Sequence, residues 1–168
     1  MVTAPTRRAA LTIMAGVTLM PAAALASEVV ELEWDDLLPK GETAVQRALQ
    51  GLIDHDNLDL SSQQPASTGV RSEWNGQMVR ISGFVVPIAT SGTAVTAFIL
   101  APFVGACIHV PPPPANQLVF VTTQDPFESE GLYAPVNVTG KIAVSTMSTH
   151  LAQVGYALAA ESIVPFRG

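Results

Sequence analysis

Apolar and polar positions alternate with a period of two through most of the second half of the chain. Residues 77–87 place Val79, Ile81 and Val85 on one side and Met78, Phe84 and Val86 on the other. Similar runs at 94–101, 117–123, 135–144 and 155–164 predict four further strands. Gly83 and Gly140 stand mid-strand, where a glycine marks a bulge or a sharp bend. A short helical piece is expected near residues 148–154. Val79, Ile81, Val85, Ile99, Val119, Val121, Val136, Val138 and Ile142 are expected to line one closed core.

Upstream the pattern is mixed. Val30, Leu32 and Trp34 alternate with Glu31 and Glu33, which reads as a short strand. Trp34 to Pro39 reads as a tight turn that tucks Trp34 and the leucines inward. Val45, Leu49, Leu52 and Ile53 share one face of a helix spanning residues 43–54. Residues 54–69 are polar and rich in Ser, Gln and Pro, as in a loop. The predicted organisation is a leader at 1–26, an N-terminal arm with one short helix at 27–76, and a β-domain at 77–168. The fold expected is mainly β: a small five-stranded Greek-key barrel of the oligonucleotide/oligosaccharide-binding (OB) type. A small antiparallel sandwich is the second choice.

The leader has its own pattern. Arg7 and Arg8 precede an apolar stretch from Ala9 to Leu25, and Ala24-Leu25-Ala26 is a small-x-small cleavage site. This is the arrangement of a secretory signal peptide. Thr6-Arg7-Arg8 fits the twin-arginine route, and the general secretory route fits as well. Cleavage after Ala26 removes both arginines and takes the formal charge from −6 to −8. The expected product is exported, acidic and not inserted in a membrane, and it resides in the periplasm or an equivalent space.

Composition narrows the function. Apolar residues are 48% of the 168-residue chain and charged residues 13%, which excludes a disordered chain. Lys and Arg total only 8 against 14 Asp and Glu, so there is no cationic surplus for a nucleic-acid backbone. One cysteine excludes an internal disulfide framework and an all-cysteine zinc site. Gly-x-Ser-x-Gly, His-Glu-x-x-His and phosphate-cradling glycine loops do not occur, and no enzymatic activity is expected.

The informative segment runs from Pro102 to Gln117. Four consecutive prolines, Pro111 to Pro114, follow Cys107-Ile108-His109-Val110 and precede Ala115-Asn116-Gln117. Prolines lack the backbone donor and favour an extended conformation, so they stiffen the connection. In an extended backbone Cys107 and His109 face the same side, and a thiolate with an imidazole suits zinc or copper. Three readings of Cys107 stand side by side: a small buried apolar residue, a metal ligand with His109, and an unpaired thiol for redox or intermolecular pairing. The proline run reads either as a brace or as a surface for a partner at Pro111, Pro112, Pro113, Pro114 and Asn116. Asp125, Glu128 and Glu130 could lend an oxygen ligand if their loop folds over Cys107.

The chain resembles the bacterial exported family labelled domain of unknown function 3299. The residues that carry this are Trp34 with Asp36 to Pro39, Gly83 to Pro87, Gly105 to Pro114 with Asn116-Gln117, Leu151-Ala152 and Gly155-Tyr156. The resemblance implies an OB-like barrel and an association with zinc-linked export or uptake systems. It does not extend to His55 or His150 as ligands. Two functions are therefore expected as alternatives. One is a periplasmic, non-enzymatic accessory protein that handles zinc at Cys107 and His109 beside a transporter component. The other is a structural interaction module with a rigid proline loop, an inert buried cysteine and another periplasmic protein as partner.

Overall fold

The computed structural model describes residues 28–41, 64–107 and 112–167. The expected leader, the expected helix at 43–54, His55, His109 and Pro111 lie outside the described residues. Each period-two run becomes a strand: β1 (Val30–Leu32), β2 (Met78–Ser91), β3 (Ala94–Ala101), β4 (Val119–Phe127), β5 (Pro135–Ser148) and β6 (Gln153–Pro165). Their order is β1-β2-β3-β4-β6-β5, and a further β2–β5 pairing closes five of them into a barrel. The β4–β6 pair is parallel and the other barrel pairs are antiparallel. β1 is the extra strand, laid parallel to β2 with Val30 opposite Val79.

Closure depends on the length of β2. Its first half, Met78–Phe84, pairs with β5, and its second half, Phe84–Ser91, pairs with β3. One strand thus serves two neighbours and leaves no open edge between them. Val79, Ile81, Val85, Phe98, Leu100, Val119, Val121, Val136, Val138, Ile142, Tyr156 and Leu158 fill the inside. Ile99, expected among them, instead faces outward into a second apolar cluster.

The two mid-strand glycines have different reasons. Gly83 keeps register with Val136, so it marks no bulge. It is a close-approach position, because a Cβ there would lie 2.8 Å from the Ala101 carbonyl oxygen. Gly140 does sit at a register shift, between Thr139 and Gly140. Other shifts fall between Pro87 and Ala89 and between Ala89 and Thr90, where β2 bends.

The helical piece expected near 148–154 does not form. β5 ends at Ser148, β6 begins at Gln153, and the chain reverses tightly between them. Thr149 closes the turn: its hydroxyl accepts from the Leu151 and Ala152 amides at 3.2 and 3.0 Å, and its amide donates to the Ala152 carbonyl at 2.9 Å. A threonine side chain that satisfies local backbone groups competes with helix, and here it wins.

The arm belongs to the barrel's packing. Leu32 and Leu37 join the inner core. Residues Trp34–Leu37 form a 3-10 helix, with the Glu33 amide donating to Asp36 at 3.0 Å. The Trp34 indole donates to the Ser82 carbonyl and the Trp74 indole to the Asp36 carbonyl, each at 2.9 Å. The first of these bonds fixes the arm against β2, and the second ties two parts of the arm together.

Candidate functional site

A second apolar layer lies outside the barrel. Val86, Ile99, Ala101 and Leu118 turn away from the inner core, and Ala106, Cys107, Ala152 and Val154 pack on them. In OB barrels the corresponding face and its flanking loops take up oligonucleotides or oligosaccharides. Here the described parts of the β3–β4 connection, residues 102–107 and 112–118, pack Ala106, Cys107 and Leu118 on that face.

The connection is anchored by polar pins. Pro112, Pro113 and Pro114 are buried. The Gln64 side-chain amide donates to the carbonyls of Pro113 and Gln153, both at 2.8 Å, and its oxygen accepts from the Gln153 amide at 2.8 Å. Asn116 is fully buried and donates to the Gly69 carbonyl at 2.6 Å. Gln117 donates to the Trp34 carbonyl at 2.8 Å. The surface expected for a partner at these prolines and Asn116 is therefore turned inward at Pro112, Pro113, Pro114 and Asn116. A run without backbone donors can be buried at little polar cost, and its carbonyls find Gln64 and Gln117.

Cys107 ends the first described part of the loop. It is 4% exposed and has φ 69, so its backbone is left-handed rather than extended. The side-sharing rule for residues two apart does not apply at such a residue. Among the described residues, the non-glycine residues at positive φ are Cys107 and Tyr133. They are neighbours: the Tyr133 hydroxyl donates to the Ala106 carbonyl at 3.2 Å. Burial pushes the Cys107 thiol up to about 12. Burial, and then the nearby Cys107, raise the Tyr133 phenol.

The other candidates are dispersed. Asp125, Glu128, Glu130 and His150 are exposed, and Glu128 accepts from the Thr93 hydroxyl at 3.0 Å. Among the described residues no three His, Cys, Asp or Glu side chains are grouped to hold a metal ion. An open groove of about 860 Å³, lined in part by Gln124, Asp125, Pro126, Lys141 and Glu161, lies where the β4–β6 ladder stops at Thr123 and Ala160. Pro126, Glu161 and Pro165 blunt that edge against pairing with another strand.

What the described part of the loop does present is Phe103 and Val104. Phe103 is 43% exposed and Val104 is 61% exposed, while their neighbours Ala106 and Cys107 are buried.

The family described as a protein of unknown function (DUF3299) matches residues 34–165. The chain belongs to the DUF3299 family. A crystal structure of a DUF3299 protein from Pseudomonas aeruginosa PAO1 is similar at 30% identity with a TM-score of 0.70, covering 84% of this chain and 98% of that one. No curated protein matches. The DUF3299 match spans the arm from Trp34 and the whole barrel, in keeping with their shared packing.

The pins at Gln64 and Gln117 and the Tyr133 contact escaped the sequence reading. Gln and Tyr give no period and no spacing rule, and only the fold brings Gln64 to Pro113.

The buried thiol has a measurable consequence. Its folded pKa of about 12 lies above its ordinary value of 9.0, so the unfolded chain releases its proton first. The stabilising difference is whole below about pH 9 and is lost as pH rises from there towards 12. Between pH 9 and 10 the unfolding free energy should fall by about 1 kcal/mol through this group. Cys107→Ala should flatten that decline, as read by denaturant titration at both pH values. An equal slope in both proteins would mean the thiol is not desolvated.

Proposed function

We propose that this DUF3299 protein is an exported, non-enzymatic accessory module that docks on another periplasmic protein through its β3–β4 loop. The observation that supports this is the contrast along that loop. Ala106, Cys107, Pro112 to Pro114 and Asn116 are buried or pinned, while Phe103 and Val104, just after β3, stay exposed. Exposed apolar side chains on a pinned loop lose little conformational freedom on binding. The desolvated thiol suits neither a nucleophile nor a ready ligand, since both act as thiolate. A photo-crosslinking residue at Val104 of the full chain, in its native compartment, should yield a discrete adduct with one envelope protein. Phe103→Asp should abolish the adduct and leave the melting temperature within about 2 °C, as for an exposed site. No adduct at Val104 would end the docking reading.

Zinc handling at Cys107 and His109 is the second reading. It is favoured by the left-handed backbone of Cys107, a conformation that costs roughly 1 kcal/mol and gathers at functional sites. Zinc would have to displace a tightly held proton from that thiol. Calorimetric titration of the reduced protein with zinc decides between the two. Saturable binding lost in both Cys107→Ser and His109→Ala would establish the metal site, and no saturable binding would remove it.

A further inference from the structure

The barrel has a seam. Its parallel β4–β6 ladder ends at Thr123 and Ala160. Beyond that point β4 pairs Phe127 with Val95 of β3, while β6 stays with β5 as far as Pro165, opposite Val136. The two strands therefore part, and a wedge opens between them. Phe127 and Ile163 form its floor, half-buried against the inner core. The Phe127 ring stands edge-on to Phe98 with the centroids 5.5 Å apart, which holds that floor in place.

The wedge has two compartments. One is the open groove of about 860 Å³, and the other is a narrower pocket of about 120 Å³ between β4, β5 and β6. Phe127 and Ile163 line both, so each opens onto the other. Ala134, Pro135, Val136 and Pro165 complete the apolar wall of the pocket, and Glu128 and Glu130 line it too. Both glutamates are exposed, so their carboxylates belong to the rim. Glu128 is steadied there by the Thr93 hydroxyl, which donates to it at 3.0 Å from the turn that leads to Val95.

Size and lining select the occupant. An apolar cavity of roughly 150 Å³ holds one benzene, and drug-sized ligands need about 300 Å³ or more, so the pocket takes a single side chain. An aliphatic side chain would draw the rim carboxylates out of water with nothing to pair them, and an acidic one would be repelled. A Lys or Arg side chain meets both demands. Its methylene stem lies against Phe127, Val136 and Ile163, and its cation reaches Glu128 and Glu130. The groove gives room for the residues on either side, with Thr122, Thr123, Gln124 and Ser162 as hydrogen-bond partners. Asp125 and Glu161 also line it, so four carboxylates along the wedge face one ammonium, Lys141. Strand addition is disfavoured, because Pro126 and Pro165 offer no amide donors.

We infer that this seam binds an extended peptide segment of a partner protein, with one Lys or Arg side chain seated in the pocket and its neighbours lying in the groove. The site goes beyond the docking reading and is independent of it, since neither Phe103 nor Val104 lines either compartment.

The test is amide NMR of the isotope-labelled full chain, titrated with acetyl-Gly-Ala-Lys-Ala-Gly-amide and its Arg, Leu and Glu counterparts. The Lys and Arg peptides should shift the amides of Ala134, Val136 and Ile163 saturably, and the Glu peptide should not. Glu128→Gln with Glu130→Gln should weaken both basic peptides at least about fivefold at an unchanged melting temperature, and added salt should weaken them as well. Equal binding of the Leu peptide, or binding indifferent to the two Gln substitutions, would overturn the cationic occupant. Butylamine binding as tightly as the Lys peptide would make a free amine the ligand and overturn the peptide segment. No saturable shift with either basic peptide, or shifts confined to residues outside the wedge, would overturn the site and leave the docking reading as it stands.

Discussion

Gly140→Ala should lower the melting temperature by about 10 °C or more, the largest effect expected of any single methyl group in this barrel. Gly140 lies on β5 between two neighbours, opposite Val79 of β2 and Ala160 of β6. A Cβ there would stand 2.2 Å from the Ala159 carbonyl oxygen and 2.8 Å from the Ala160 Cα. Both obstacles are backbone, so β6 must move, and with it the parallel ladder to β4. Overpacking of this kind costs about 3 kcal/mol or more. A domain of this size loses roughly 2–4 °C per kcal/mol. Gly83→Ala should cost less, because one of its two obstacles is the movable Leu100 side chain. Gly92→Ala meets nothing within 4 Å and bears only the strain of φ 62, about 1 kcal/mol. Calorimetry on the three variants should rank them in that order. A Gly140→Ala protein that melts within 2 °C of the wild type would show that β5 and β6 are not held at this spacing.

Period two was enough to read the barrel. The run at 94–101 coincides with β3, those at 135–144 and 155–164 fall inside β5 and β6, and those at 77–87 and 117–123 start one and two residues before β2 and β4 and stop short of their ends. Alternation survives in the sequence because the inner face of a barrel admits no polar side chain without a partner. It weakens where a strand runs past the core, as at Thr90 and Ser91, and there the boundaries were missed. Val86 and Ile99 show a second limit. Val86 was placed on the other side of its strand but not as buried, and Ile99 was expected inside, because Phe98 to Ala101 are all buried and all apolar, so no alternation separates the two faces. The loop itself was legible as rigid from Pro111 to Pro114, and its direction was not. Whether prolines face solvent or packing depends on Gln64 and Asn116, which only the closed fold brings into reach. The same holds for Cys107, whose left-handed backbone has no signature in the residues around it.

Tyr156→Phe should destabilise the protein by about 2–4 kcal/mol and loosen the arm before the barrel. Tyr156 is fully buried in the inner core. Its hydroxyl accepts from the Arg71 amide at 2.6 Å and donates to the Leu37 carbonyl at 2.9 Å. One oxygen thus joins β6 to two parts of the arm that are 34 residues apart in sequence, Leu37 and Arg71. Phenylalanine keeps the ring packing and removes only that oxygen. The Arg71 amide and the Leu37 carbonyl are then left without their partner, at roughly 1–3 kcal/mol for each group. The Arg71 side chain, stacked 5.2 Å from the centre of the Trp74 ring, cannot fill the gap without leaving that ring. Amide hydrogen exchange at Arg71 should rise well before exchange in β2 to β6, and trypsin should cut after Arg71 faster than in the wild type. A loss below about 0.5 kcal/mol with unchanged exchange would mean that the indole bonds of Trp34 and Trp74, rather than the tyrosine, hold the arm in place.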